Sequence, residues 1–202
     1  MSDRRLLVAV LAAGGSRRLG RPKQLISIDG EPLVRRQCGV ALLADLGPVA
    51  VIVGSHGDDV AAVLKDLPID ICWNPDWEEG LAASLRCAVT AARVNHAAAL
   101  LMLACDQYRI TASDLRQLRD VWRDGGGVAC VSRAGEHVGP PAVLPPDCYD
   151  QLLDLHGDVG ARPVLFDPRR LPPIEVENPR AIFDLDYPQD VKASRGWSDL
   201  DG

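Results

Sequence analysis

Aromatic side chains are scarce: two Phe, three Tyr and four Trp are 4% of 202 residues, so the core falls to Leu, Val, Ile and Ala. Excess positive charge is also missing, with 22 Lys and Arg against 28 Asp and Glu and a net charge of −6. That balance excludes a protein drawn as a whole to nucleic acid or to an anionic membrane; any anion must be held by a local basic site. No hydrophobic run approaches the ~20 residues needed to cross a bilayer. The run at 6–13 after Arg4-Arg5 has the layout of a short signal peptide, but Gly14-Gly15-Ser16-Arg17-Arg18 puts two cations where a cleavage region belongs. Cys38, Cys72, Cys87, Cys105, Cys130 and Cys148 form no CxxC, and no Cys/His pair has zinc spacing. The expectation is six reduced thiols, mostly buried as small hydrophobes, in a cytoplasmic protein. Hydrophobic residues at 47% and charged residues at 25% are ordinary globular usage, and the length suits one domain.

Short apolar runs alternate with amphipathic segments along the chain, the pattern of βαβ units around a mainly parallel sheet flanked by helices. Strands are predicted over 6–12, 49–53, 69–72, 97–104 and 128–131, and helices over 33–46, 58–67, 81–94 and 113–122, the last with Ser113 as N-cap. The run at 97–104 is nearly continuous in apolar residues, as a central strand covered on both faces requires, and it delivers Asp106 to its carboxyl end. Pro140, Pro141, Pro145 and Pro146 confine the next stretch to a loop or an edge strand. Short helices over 147–155 and 159–165, a last strand over 182–185 and a helix opened by Pro188 follow. The domain is read as 1–193, with a frayed tail at 194–202.

Directly after the first strand, residues 11–23 supply Gly14, Gly15 and Gly20, and Arg17, Arg18, Arg21 and Lys23 place four cations within seven positions. Glycines admit close approach of backbone N–H groups to a ligand, and the cations match its charge, so the chemistry suits a polyphosphate. A solvated basic loop is the alternative. Gly15 to Gly20 satisfies the GxxxxG part of a Walker A loop, but Arg21-Pro22-Lys23 follows where Gly-Lys-Ser/Thr is required, and no GxGxxG occurs here.

Ala12, Ala13, Gly14, Ser16, Arg18, Gly20, Lys23 and Leu25 fall in register with the signature LAAGxSxRxGxxKxL. The segment resembles that of the MobA/MocA-like nucleotidyltransferases, which join a nucleotide to molybdopterin. The resemblance implies a three-layer αβα fold with a mainly parallel, Rossmann-like sheet of the nucleotide-diphospho-sugar transferase type. It also implies that backbone amides of Ala12, Ala13, Gly14, Gly15 and Ser16 wrap a triphosphate, with Arg18 on the phosphates and Lys23 near the alpha phosphate. Residues 74–85 look like the family's NxxWxxGxxxSL segment, which places Gly80 and Ser84 beside the nucleotide base. Trp77 also suits simple packing, and Ser84 an ordinary first helical turn.

Asp106 lies where open α/β sheets bind ligands and where phosphoryl chemistry wants a hard oxygen ligand for Mg²⁺, although a lone aspartate there also suits a helix cap. The family usually reads DxP; Asp106-Gln107-Tyr108 lacks the proline, which leaves the following turn open. Residues 183–190 resemble the DxDTPED ending, with Tyr187 and Gln189 as departures. The resemblance puts the second metal contact on Asp186, with Asp184 as an alternative ligand; both also suit a helix N-terminus next to Pro188. Residues 135–141 and 155–162 are similar to the Gly-x-Pro loop and the GDxGAR segment of the MocA-type branch, placing His137 and Arg162 on the acceptor side. His56 and His96 read as surface residues.

These expectations describe a Mg²⁺-dependent nucleotidyltransferase that transfers CMP from CTP to the phosphate of molybdopterin or a similar phosphorylated acceptor, with a target molybdoenzyme or its chaperone as a further partner. LAAG, where the guanylyl-transferring branch reads LAGG, points to CTP through the Ala13 methyl. A GTP-using transferase of the same family and a non-catalytic cofactor carrier are the rivals, the latter separated by metal-dependent pyrophosphate release. An oxidoreductase has no fingerprint or redox cysteine pair to support it.

Overall fold

The computed structural model describes residues 5–16 and 19–185. In chain order the strands and helices are β1 (Leu7–Ala12), β2 (Ser27–Ile28), β3 (Glu31–Pro32), α1 (Leu33–Ala44), β4 (Val49–Val53), α2 (Gly57–Leu64), β5 (Asp70–Trp73), α3 (Leu81–Val94), β6 (Leu100–Ala104), α4 (Ala112–Asp124), β7 (Cys130–Ala134), β8 (His137–Leu144), α5 (Tyr149–Leu153), α6 (Arg162–Leu165) and β9 (Ile174–Glu177). The main sheet has the order β5-β4-β1-β6-β8-β7-β9, and β2 and β3 form a separate two-stranded ribbon. Pairing is parallel from β5 through β6 and between β7 and β9, while β8 runs antiparallel to both of its neighbours.

Two-residue alternation along the central strands divides the core into two layers. Val8, Val10, Val51, Val53, Leu101 and Leu103 face α1, α2 and α4, meeting Val34, Cys38, Val60, Leu64, Leu115 and Trp122. Leu7, Ala9, Ala50, Ile52 and Leu100 face the other way, against Leu85, Ala88 and Val89 of α3 and Leu152 and Val164 of α5 and α6. The arrangement is the three-layer αβα fold expected from the alternating pattern. Each fully buried Leu or Val contributes ~1.5–3 kcal/mol, so the sheet holds the fold and leaves the loops at its carboxyl edge free to serve a site.

Three expectations are corrected. Thr111, not Ser113, caps α4: its hydroxyl accepts from the Asp114 N–H at 3.4 Å and the Asp114 carboxylate accepts from the Thr111 N–H at 2.8 Å, a capping box. The part of the proline-rich stretch with Pro140 and Pro141 forms β8, an interior strand rather than a loop or edge, while Pro145 and Pro146 follow it outside the sheet as expected. The prolines are tolerated because the β7–β8 register shifts between Val131 and Ser132, leaving Pro140 and Pro141 outside the ladder. Their carbonyls are taken by side chains instead: Ser132 Oγ donates to Pro141 at 2.9 Å and Gln107 Nε2 to Pro140 at 2.8 Å. The strand expected over 182–185 is a 3₁₀ turn, Pro179–Ile182, followed by a single antiparallel bridge between Gln107 and Asp184. The edge strand β9 was not anticipated; Pro172 and Pro173 just before it obscured its short alternation. The helix expected at Pro188 and the tail at 194–202 lie outside the described residues. No described helix is long and apolar enough to cross a membrane. All six cysteines are free, with Cys38, Cys105, Cys130 and Cys148 buried and Cys72 and Cys87 half-buried. His56 and His96 are exposed.

Candidate active site

A cleft of about 630 Å³ opens at the carboxyl ends of β1 and β6. Its walls are the loop after β1 (Ala13, Gly14, Gly15, Lys23), the turn into α3 (Trp77, Gly80, Ser84), Cys105 and Asp106 after β6, Val138–Pro140 of β8, and residues from Asp158 to Phe166.

The loop after β1 is tied down by its carbonyl groups. Ala13 O accepts from the Ser55 N–H at 3.0 Å, while Gln24, wholly buried, sends its Nε2 to Ala12 O at 2.9 Å and Gly14 O at 2.6 Å. Gln24 Oε1 accepts from Ser16 Oγ at 3.3 Å, and Ser16 Oγ accepts from the Lys23 N–H at 3.0 Å, which closes the loop on itself. Three successive carbonyl dipoles therefore point at the protein rather than at the cleft. Gln24 was missed at the sequence level, because a glutamine beside a lysine reads as an ordinary solvated residue. Ala13 is 3% exposed, packs with the apolar layer that α3 covers and also lines the cleft. Arg18 lies outside the described residues.

Lys23, in a 3₁₀ turn at Lys23–Leu25, forms an ion pair with the Asp106 carboxylate on the cleft floor. The two side chains are only 19% and 16% exposed, so the pair is shielded yet still reachable from the cleft. Its cause is topological: the loop after β1 and the end of β6 are neighbours because those strands pair in parallel.

Opposite stands the entry to α3. Gly80 has φ 124°, and a Cβ there would lie 2.7 Å from the backbone of Gly157 and Asp158, so only glycine fits. The Ala82 N–H donates to Gly157 O at 3.1 Å and the Leu81 N–H to Asp158 Oδ1 at 3.4 Å, so a distant loop supplies the acceptors that the helix start lacks. Glu79 secures that loop, accepting from the Gly157 N–H at 3.1 Å and forming an ion pair with Arg86, which in turn donates to Leu155 O at 2.7 Å. The Arg86 guanidinium and then the Gly157 N–H hold the Glu79 carboxyl down at about 2. Ser84 is 6% exposed, lines the cleft, and accepts from Asn74 Nδ2 at 3.2 Å. Trp77 lines the cleft and packs closely on Gly15 and Gly54: a Cβ at Gly54 would stand 2.5 Å from that of Trp77.

The turn after Asp106 is shaped without the family's proline. Gln107 Nε2 donates to Pro140 O and Ala181 O, both at 2.8 Å, and Gln107 O accepts from Gln37 Nε2 at 3.0 Å. Gln107 thus joins the floor to the β8 wall. The Leu185 N–H donates to Asp106 O at 3.2 Å, laying the end of the described chain along the floor. Asp184 is bridged to Gln107 and is not among the cleft-lining residues. Asp186 lies outside the described residues. On the β8 side Arg162 lines the cleft, donating to Val138 O at 3.3 Å with its guanidinium 5.1 Å from the Phe166 ring centroid. His137 is exposed at the start of β8, beyond the lining residues, with its ring against Gly139.

The family model described as the MobA-like NTP transferase domain matches residues 8–172. The chain belongs to this family. This MobA-like NTP transferase is a nucleotidyltransferase of the nucleotide-diphospho-sugar transferase fold. It is 24% identical to the molybdenum cofactor cytidylyltransferase of Escherichia coli K12 over 95% of this chain and 96% of that protein. It is 34% identical to the bifunctional protein GlmU of Xanthobacter autotrophicus over 65% of this chain, a match that spans only 30% of the GlmU length. Among solved structures, Rv0371c of Mycobacterium tuberculosis H37Rv superimposes with a TM-score of 0.80 at 28% identity, covering 94% of this chain and 97% of that one. A manganese complex of Rv0371c superimposes with a TM-score of 0.75 at 26% identity, covering 94% and 97%.

Proposed function

We propose that this MobA-like NTP transferase moves CMP from CTP to the terminal phosphate of molybdopterin. An acceptor phosphate oxygen attacks the alpha phosphorus, the bond to the beta phosphate breaks, and pyrophosphate leaves. The observation that carries this reading is the meeting of Lys23 and Asp106, 83 positions apart in sequence, on the floor of one cleft. Lys23 delivers a cation where charge develops on the alpha phosphate, with Arg18 as its partner from the same loop. The inward-turned carbonyls of Ala12, Ala13 and Gly14 leave the N–H groups of Gly14, Gly15 and Ser16 to face the beta and gamma oxygens. Gly80 lets the chain pass close to the nucleoside, and Ser84 contacts the base. Arg162 is the acceptor-side cation, with His137 at the outer rim where a longer acceptor emerges. The relative's description as a cytidylyltransferase supports CTP and a molybdopterin acceptor.

The donor set fits a divalent cation that arrives with its nucleotide. No group of three or more His, Cys, Asp or Glu among the described residues forms a protein cage, whereas Asp106 presents one carboxylate at the floor. Mg²⁺ is commonly held by one or two carboxylates completed by substrate phosphates. Asp106 and Asp186 would hold it; the Leu185 contact to Asp106, one residue before Asp186, supports that pairing, and the manganese complex of Rv0371c supports a divalent cation. The bound ion neutralises phosphate charge; positioning comes from the loop, Lys23 and the α3 entry. We also propose residues 1–193 as the catalytic unit with 194–202 as a tail, a cytoplasmic location, and a molybdoenzyme or its chaperone as recipient.

Pyrophosphate release from CTP, GTP, ATP and UTP, with and without molybdopterin and Mg²⁺, tests the reading. The expected result is Mg²⁺-dependent release with CTP and molybdopterin together. Lys23→Ala and Asp106→Asn should each lower turnover ~10²–10³-fold while the melting temperature moves little, because charge stabilisation is lost from a site and not from the core. Normal turnover in Asp106→Asn would refute the assignment, and a GTP preference would reassign the nucleotide.

A further inference from the structure

We propose that Asn74 determines which edge of a nucleobase this cleft accepts, by fixing the direction of the Ser84 hydroxyl. The inference rests on the reading of Ser84 as the base contact.

Asn74 follows directly after β5, is 5% exposed, and is anchored by its own N–H to Val53 O at 2.8 Å. Its side chain has two partners: the Asp76 backbone N–H at 3.1 Å and Ser84 Oγ at 3.2 Å. A backbone N–H only donates, so the atom facing Asp76 is the amide oxygen, and the amide nitrogen is left to face Ser84. An amide nitrogen also only donates. Ser84 Oγ is therefore held as an acceptor towards Asn74, and its single proton must point elsewhere. Among the described residues no acceptor takes that proton, and Ser84 lines the cleft beside Trp77 and Gly80.

The site thus offers the Ser84 proton at this point, beside the one lone pair of Oγ that Asn74 does not occupy. A base that presents a lone pair there, such as the N3 or O2 edge of cytosine, is bound. A base that presents only an N–H can meet the remaining lone pair alone, and the Ser84 proton then loses water without gaining an acceptor. Selection is set one residue away from the contact, because reversing the amide would reverse the polarity of the hydroxyl.

Asn74→Asp makes that reversal. One carboxylate oxygen keeps the Asp76 N–H, while the other accepts the Ser84 proton and withdraws it from the cleft. The Kd for CTP, measured by calorimetry with Mg²⁺ on the full chain, is expected to rise on the order of tenfold in Ser84→Ala and in Asn74→Asp. In the double variant it should rise no further, and thermal melts should verify that all three are folded. The added charge of Asn74→Asp would act with or without Ser84, so non-additivity isolates the proton's direction. If Asn74→Asp does not fold, Asn74→Ser retains an acceptor for Asp76 but is too short to reach Ser84. Its weakening of CTP binding should likewise vanish in the Ser84→Ala background. Unchanged CTP binding in Ser84→Ala would sink the base-contact reading and this inference with it. Weakening in Ser84→Ala but not in the Asn74 variants, or full additivity in the double variants, would overturn the inference alone.

Discussion

Gln24 makes the proposed nucleotide loop depend on one buried amide. Carbonyl oxygens turned into an anion site would repel phosphate, and Gln24 draws two of them, Ala12 O and Gly14 O, into the protein. Gln24→Leu fills similar space but leaves both carbonyls without that donor, at ~1–3 kcal/mol for each one that finds no new partner. Urea unfolding should show that loss, and the KM for the nucleotide should rise; a variant with wild-type stability and KM would remove Gln24 from this role. Gln24→Glu should do more damage, since an ionised carboxylate has no proton to give either carbonyl. Burial pushes the Cys38 thiol up to about 12, and the Cys105 thiol rises for the same reason. At pH 8 both should resist alkylation in the native protein and react once it is unfolded, which mass spectrometry would read directly; rapid native labelling of either would contradict the packing.

The entry of α3 shows an element completed by a distant piece of chain. Gly157 O and the Asp158 carboxylate receive N–H groups of the first helical turn, and Glu79 and Arg86 keep residues 155–158 in place. Gly80→Ala would force a Cβ to within 2.7 Å of that loop at a positive φ, so it should cost ~1–3 kcal/mol in urea unfolding and weaken nucleotide binding together. A stable variant with intact binding would show that the loop yields freely. The Glu79 carboxyl is held down at about 2 in the folded state, below its ordinary value of 4.5. Its contribution is therefore complete above about pH 4.5 and is lost as the pH falls towards 2. Hydrogen exchange at the Gly157 amide should accelerate relative to core amides across that window, and Glu79→Gln should flatten the difference. Exchange that simply follows the chemical pH dependence would count against the anchor.

The two apolar layers share one sheet, with Trp122 in the layer covered by α1, α2 and α4 and Trp77 packed against the α3 side. Loss of either layer exposes the same strands, so the molecule should unfold as one unit. Tryptophan fluorescence and far-ultraviolet circular dichroism should give coincident urea transitions; separated midpoints would show two units instead. The order of the main-sheet strands and the helices up to β6 was legible in the sequence because their apolar periodicity is local, and Val49–Val53 and Leu81–Val94 lie where that periodicity puts them; the short β2–β3 ribbon was not. The family motif likewise singled out Lys23 and Asp106, which the fold brings together in one cleft, since charged residues beside glycines or at a strand end stand out in a linear chain. β8 was not legible as an interior strand: proline removes a donor from a ladder, and only the bulge opposite Val131 and Ser132, with side-chain partners from Gln107 and Ser132, makes it tolerable there. Nor were Gln24, Asn74 and Gln107, because an amide bound to buried carbonyls is spelled the same as an amide in water. The linear pattern by itself determined the alternating αβ architecture and the location of the charged groups, since periodicity and turn chemistry act over a few residues. The tertiary structure alone decided which carbonyls face inward, which hydroxyl faces the cleft and where a proline strand is allowed, since each depends on a partner tens of residues away.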